Sequence, residues 1–211
     1  MATYEQLQTW CSPYRIAPYE IEANGSRELA VRLYEWNAEL SAGFMEVMHH
    51  VEVLLRNRIH NVMTEAFPDN PEPWFKQDGI FAGEKGPRLI AEAEQRISQD
   101  GDEVSVGRVV ASVSFGFWNG LFVRSYSTLW AQTLYKCFTP HGPGKRERII
   151  EVTERTKAWR NRIAHHDRLI HRDLRANHDD LLKIAMWIDP EARDWILARS
   201  RVPALIAARP R

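Results

Sequence analysis

The segment AWRNRIAHHDRLIHRDL, residues 158–174, gathers guanidinium, amide and imidazole groups within a few turns of chain. Histidine transfers protons near neutral pH, and the planar fork of arginine matches the oxygens of a phosphate. Asparagine orients either group or holds the phosphate itself. Together these residue types suit RNA cleavage by attack of a 2′-hydroxyl on the adjacent phosphate, which needs proton transfer and charge stabilisation and no metal. Arg160, Asn161 and His165 are the candidates for that work.

Their geometry sets a condition. At about 100° per residue, Trp159, Ile163 and His166 share one helix face with Ile149, Val152 and Thr156. Asn161 and His165 lie one turn apart on the other side, with Arg162 beside His165. Arg160 is about 140° from His165, so a regular helix does not aim the two at one point. They converge if the helix ends at His165 or if a second subunit supplies a matching pair. A helix carboxyl end, with its partial negative charge, also suits a proton-carrying imidazole.

Each of these residues has a plainer reading beside the chemical one. Arg160 and His165 also fit a solvated basic helix end, and Arg162 fits a phosphate-binding or surface arginine. His166 packs or caps as readily as it reacts. His165, His166, Asp167, His171 and Asp173, or the pair His49–His50, resemble a fragment of a metal phosphohydrolase site. No ligands converge on them from a distant element that can be named, so no metal ligand is assigned.

The elements that must position the site are helical. From Ser26 onward, Leu29, Leu33, Trp36, Leu40, Phe44, Val47, Val51, Leu54, Leu55, Ile59 and Val62 recur mainly every three or four residues. This predicts one long helix, capped by Ser26, bent near Gly43 and stopped by Pro68. A second polar line on it, His49, Glu52, Arg56 and His60, spans about 60° of arc. Glu52 and Arg56 have the order that favours an ion pair. The line is either a solvated face or the wall of a cleft, holding Arg160 or a phosphate from behind. An irregular connection should follow to Gly86. Further helices are expected over residues 87–99, in one or two pieces after Ser105, over 127–138, 145–165, 177–188 and 190–200. Strand-like runs are scarce, so the fold class is all-α, as a single domain.

Composition narrows the class of protein further. With 28 basic and 28 acidic residues among 211, the chain is no polycation, although a local basic patch remains open. Two cysteines, Cys11 and Cys137, are too few for a disulfide framework, which points to a reduced, cytoplasmic setting. The amino terminus lacks a signal-peptide pattern, and no apolar run approaches the roughly 20 residues that span a bilayer. The aromatic residues fall mostly on apolar stripes and are assigned to the core rather than to base stacking.

RNRIAHHD resembles the RNRIAHHE signature of Abi-like (abortive-infection) proteins, and Arg160 to His165 fits the R-x4-6-H motif of HEPN ribonucleases. LYEWNAELSAGFMEVMHHVEVLLRN, SFGFWNGLF and SRVPAL are similar to the same family, so the likeness runs from about Ser26 to Leu205. Asp167 stands where the family pattern has glutamate and Arg168 where it has proline. The resemblance implies a HEPN-like helical bundle that dimerises, with two motifs facing one composite cleft. It implies metal-independent endoribonuclease activity, without cofactor, in phage defence or toxin–antitoxin systems, with RNA and a cognate antitoxin or inhibitor as partners. It brings in Glu52, Arg56 and Asn57 as residues behind the site, alongside Arg162 and His166. A non-catalytic HEPN-type RNA- or nucleotide-binding module and a metal-dependent phosphohydrolase are the alternatives.

Overall fold

The computed structural model describes residues 2–68, 70–138 and 142–211. Among the described residues there are eleven α-helices, three short 3₁₀ turns and no strand. The spine is α3 (Arg27–Glu65), 39 residues and about 58 Å long at 1.5 Å per residue. Ser26 caps it by accepting from the Leu29 N–H at 3.3 Å. The helix runs unbroken through Gly43. A Cβ at Gly43 would lie 2.8 Å from Leu205 Cδ1, so the missing side chain admits a neighbouring helix.

That neighbour is α11 (Val202–Ala207). The amino-terminal half of α3 also carries α1 (Tyr4–Cys11) and α2 (Pro13–Glu22). The carboxyl-terminal half meets α5 (Val106–Ser112) and α6 (Phe115–Gly120), with α4 (Lys85–Gln99) packed outside α5. The stretch after Ser105 forms two pieces, with the break between α5 and α6 at Val113–Ser114. The helix expected over 127–138 is shorter: α7 (Ser127–Gln132) is followed by a 3₁₀ turn at Leu134–Cys137. Then come α8 (Arg146–Ala164), α9 (Leu174–Ile188) and α10 (Pro190–Arg199). Buried apolar side chains from all of these except α7 form one core cluster.

Three contacts set α8, the element with the chemistry. Phe44 meets Trp159 edge to face at 4.9 Å, and both are buried. Asn119 of α6 donates to the Thr153 hydroxyl at 2.9 Å inside the core. Arg155 makes a two-pronged bond to Asp180 of α9, at 2.6 and 3.1 Å. Burial pushes the Asp180 carboxyl up, but its hydrogen bonds from Arg155 and Lys183 outweigh that and hold it below the usual carboxylate range.

Candidate functional site

The last turn of α8 closes without glycine. His165 is the residue after the helix, and His166 takes the left-handed conformation with φ 57°. The His166 N–H then donates to Ile163 and the Asp167 N–H to Arg162, both at 2.9 Å. This is the paired bond pattern of a Schellman cap, which satisfies two carbonyls that the helix end leaves free. A non-glycine residue there costs on the order of 1 kcal/mol. His166 therefore does not sit on the Trp159 face expected for it: it lies outside the helix with its side chain exposed. Arg162 bends to Asp167 at 3.1 Å, which places it beside the cap.

Remote elements hold the segment after the cap. Arg15 of α2 donates to the His166 carbonyl. Asn37, buried on the apolar stripe of α3, accepts from the Leu169 N–H at 2.7 Å. Arg209, near the end of the chain, donates to the Ile170 carbonyl at 3.1 Å and pairs with Glu22 of α2.

Between this segment and α3 lies a cleft of about 730 Å³, lined by Arg15, Tyr34, Asn37, Met45, His165 and His166 among others. Phe44 faces Trp159, while Asn37 and Ser41, earlier in α3, face the cleft with Ile163 and His165, later in α8. The two helices thus run antiparallel. Tyr34 donates to the Cys11 sulfur at 3.3 Å; that bond and burial keep its phenol above the ordinary range and so protonated. Of the three principal candidates, only His165 lines the cleft. Arg160 sits half-buried one turn before Ala164, a cleft-lining residue, and forms no hydrogen bond or ion pair among the described residues. Asn161 is exposed one turn before His165, and its carbonyl accepts the His165 N–H.

The polar line on α3 divides. Glu52 and Arg56 share the face of α3 that carries Met45, but about 10 and 16 Å further along its axis. They form no ion pair among the described residues; Arg56 instead donates to the Ala111 carbonyl of α5 at 3.2 Å. His60 accepts from the Trp74 indole at 3.0 Å, and burial holds its imidazole below the ordinary range. Asn57 points elsewhere, into a separate cavity against α10. The structure thus brings none of Glu52, Arg56 and Asn57 into the cleft with His165, because packing against α5 and the Trp74 turn, and the turn of the helix, take them elsewhere.

Arg15, Tyr34 and Arg209 are site-forming residues that the sequence reading passed over, as is Asn37. An amide interrupting the apolar run Leu33, Trp36, Leu40 was the available signal for Asn37. Among the described residues, no three His, Cys, Asp or Glu side chains come together in a way that could hold a metal ion. No described helix is long and apolar enough to cross a membrane. Comparison of the chain with protein-family models, curated proteins and solved structures finds no match.

Proposed function

We propose that this chain is a metal-independent endoribonuclease of the Abi-like, HEPN kind, acting as a homodimer. The observation that carries the reading is the placement of His165 at the end of α8. Its imidazole sits over a 730 Å³ cleft, with the unpartnered Arg160 guanidinium one turn behind the lining. In the proposed reaction one imidazole takes the 2′-hydroxyl proton as the 2′-oxygen bonds to phosphorus. A second imidazole gives a proton to the departing 5′-oxygen, leaving a 2′,3′-cyclic phosphate and a 5′-hydroxyl. Arg160 stabilises the extra charge on the phosphoryl oxygens. One chain offers His165 and the capped His166; a two-fold partner brings a second His165 and a second Arg160. The resemblance of RNRIAHHD and its companion segments extends the proposal to phage defence or toxin–antitoxin control, with an antitoxin or inhibitor as partner.

One observation favours a second reading. Arg160 and Asn161 lie outside the cleft that His165 lines, so a single chain does not aim them at one phosphate. A non-catalytic module that binds RNA or nucleotide needs no such convergence. Incubating the protein with a mixed RNA pool, with and without EDTA, separates the readings. Cleavage in EDTA with cyclic-phosphate ends supports the ribonuclease. Retention of RNA without cleavage supports the binding module, and cleavage only with a divalent ion supports a phosphohydrolase.

A further inference from the structure

A second cavity, of about 510 Å³, opens on another side of α3, against the end of α9 and α10. It is distinct in composition from the His165 cleft. Val53, Leu54 and Ile188 give it an apolar floor, and the Trp195 indole forms one wall. Trp195 is 44% exposed, unlike the aromatic residues of the core. It is nonetheless held in place. The His50 ring packs against it at 4.6 Å, and the Arg199 guanidinium lies 4.6 Å from its centroid.

The polar groups at this cavity define what it can take. Asn57 and Asn61, one turn apart on α3, present two side-chain amides that form no hydrogen bond among the described residues. Each amide carries both a donor and an acceptor. The charged neighbours are already engaged. Arg58 donates to the carbonyls of Lys136 and Cys137, at 2.6 and 3.3 Å. Asp189 accepts from the N–H groups of Glu191 and Ala192, closing the amino end of α10 with a negative charge. The cavity thus offers an apolar surface beside two neutral amides that can each donate and accept. Burial also keeps the His50 imidazole below its ordinary range, while the Arg199 guanidinium over Trp195 leaves a positive charge beside the wall.

We propose that this cavity binds a nucleobase, its ring packed against Trp195 and its polar edge read by Asn57 and Asn61. The ring is a planar, uncharged heterocycle with alternating donors and acceptors, which is the chemistry the cavity complements. The base comes either from a free nucleoside or from an unpaired position in a strand. The proposal does not depend on the ribonuclease reading, since it uses none of the residues at the end of α8.

The test is titration of the intact protein, by calorimetry, with adenosine, guanosine, cytidine and uridine, and with ribose as a control. A parallel arm uses 2′-O-methyl tetranucleotides, which lack the nucleophile for cleavage. At least one nucleoside or tetranucleotide should bind saturably while ribose does not. Trp195→Ala and Asn61→Leu should each weaken that binding by about tenfold or more. Trp10→Ala, at an exposed indole outside both cavities, should leave it unchanged. Binding of the nucleoside identifies a free ligand; binding of the tetranucleotide alone, still weakened by the variants, identifies a base in a strand. The Asn61 side chain is exposed, so Asn61→Leu decides the matter if Trp195→Ala melts early. Absence of binding in both arms, or binding that neither variant weakens, overturns the proposal.

Discussion

The buried Asn37 side chain accepts a 2.7 Å hydrogen bond from the Leu169 backbone N–H, joining α3 to the segment that follows the RNRIAHH motif. Asn37→Ala leaves that N–H without a partner in the core, at a cost of about 1–3 kcal/mol. Denaturant unfolding should show the loss, and the Leu169 amide should exchange its hydrogen much faster than in the native protein. Unchanged protection at Leu169 would show that this bond does not hold the segment.

The proposed chemistry places different demands on the two arginines of the motif. Arg160→Ala and His165→Ala should each lower RNA cleavage by about a hundredfold or more with the fold intact. Arg162, tied to Asp167 at 3.1 Å and partly exposed, belongs to the cap, and Arg162→Ala should keep most of the activity. The reverse ranking in single-turnover assays would mean that the motif had been assigned to the wrong arginine.

His166 offers a sharper test of role against conformation. Its φ of 57° is one that glycine adopts without strain. His166→Gly should therefore leave stability unchanged or raise it, by up to about 1 kcal/mol. If the side chain is only a bystander at the cap, cleavage persists. If His166 carries a proton in the reaction, the variant is more stable and inactive.

Stability should fall in mild acid. Burial holds His50, His60 and His178 below the ordinary imidazole range, so the folded chain binds fewer protons there than the unfolded chain does. With unfolded imidazoles titrating at about pH 6.5, stability rises with pH up to that region and declines as pH drops through it. The depressed Asp180 carboxyl adds a loss in the same direction at lower pH, as the solution passes below the ordinary carboxylate range. Urea midpoints at about pH 7.5 and pH 5.5 should show the decline, and His178→Gln should shrink it. A flat profile would mean that these imidazoles titrate as freely when folded as when unfolded.

Assembly follows from the position of Arg160 outside the cleft that His165 lines. We expect a homodimer whose interface includes α8, so that one subunit's arginine faces the other's histidine. Light scattering at micromolar concentration measures the mass directly. Mixing Arg160→Ala with His165→Ala chains then asks whether one intact cross-subunit pair restores part of the cleavage. A strictly monomeric protein that cuts RNA at full rate would defeat the composite site.

The long helix was legible because the apolar residues of α3 repeat at helical spacing between a serine cap and a proline stop. The end of α8 near His165 was legible from the loop residues after it. What held that end was not. The two amino-terminal helices went unread although Thr3 and Gln6 form a capping box and Pro13 sits at a helix start, because Ser12, Pro13 and Pro18 break the pattern. Arg15 was lost with them. Its bond to the His166 carbonyl spans 151 residues, and no local spacing reports such a contact. The cap itself lacks the glycine that usually announces it, so His166 was placed on a helix that had already ended. Asn57 entered through the family resemblance alone; one step along the helix from Arg56 turns its side chain by about 100°, into the separate cavity.

The clamp from Arg209 onto Ile170 and Glu22 also orders events in time. Synthesis runs from the amino end, at about 5–20 residues per second, so the motif at 160–165 emerges well before its last restraint. A nascent chain that already carries every proposed catalytic group still lacks the contact that fixes the segment beside them. For a chain proposed to cut RNA, the ribosome making it is surrounded by substrate while that arginine is still to be added. The restraint on the segment after the motif is thus formed by a residue synthesised well after the motif itself.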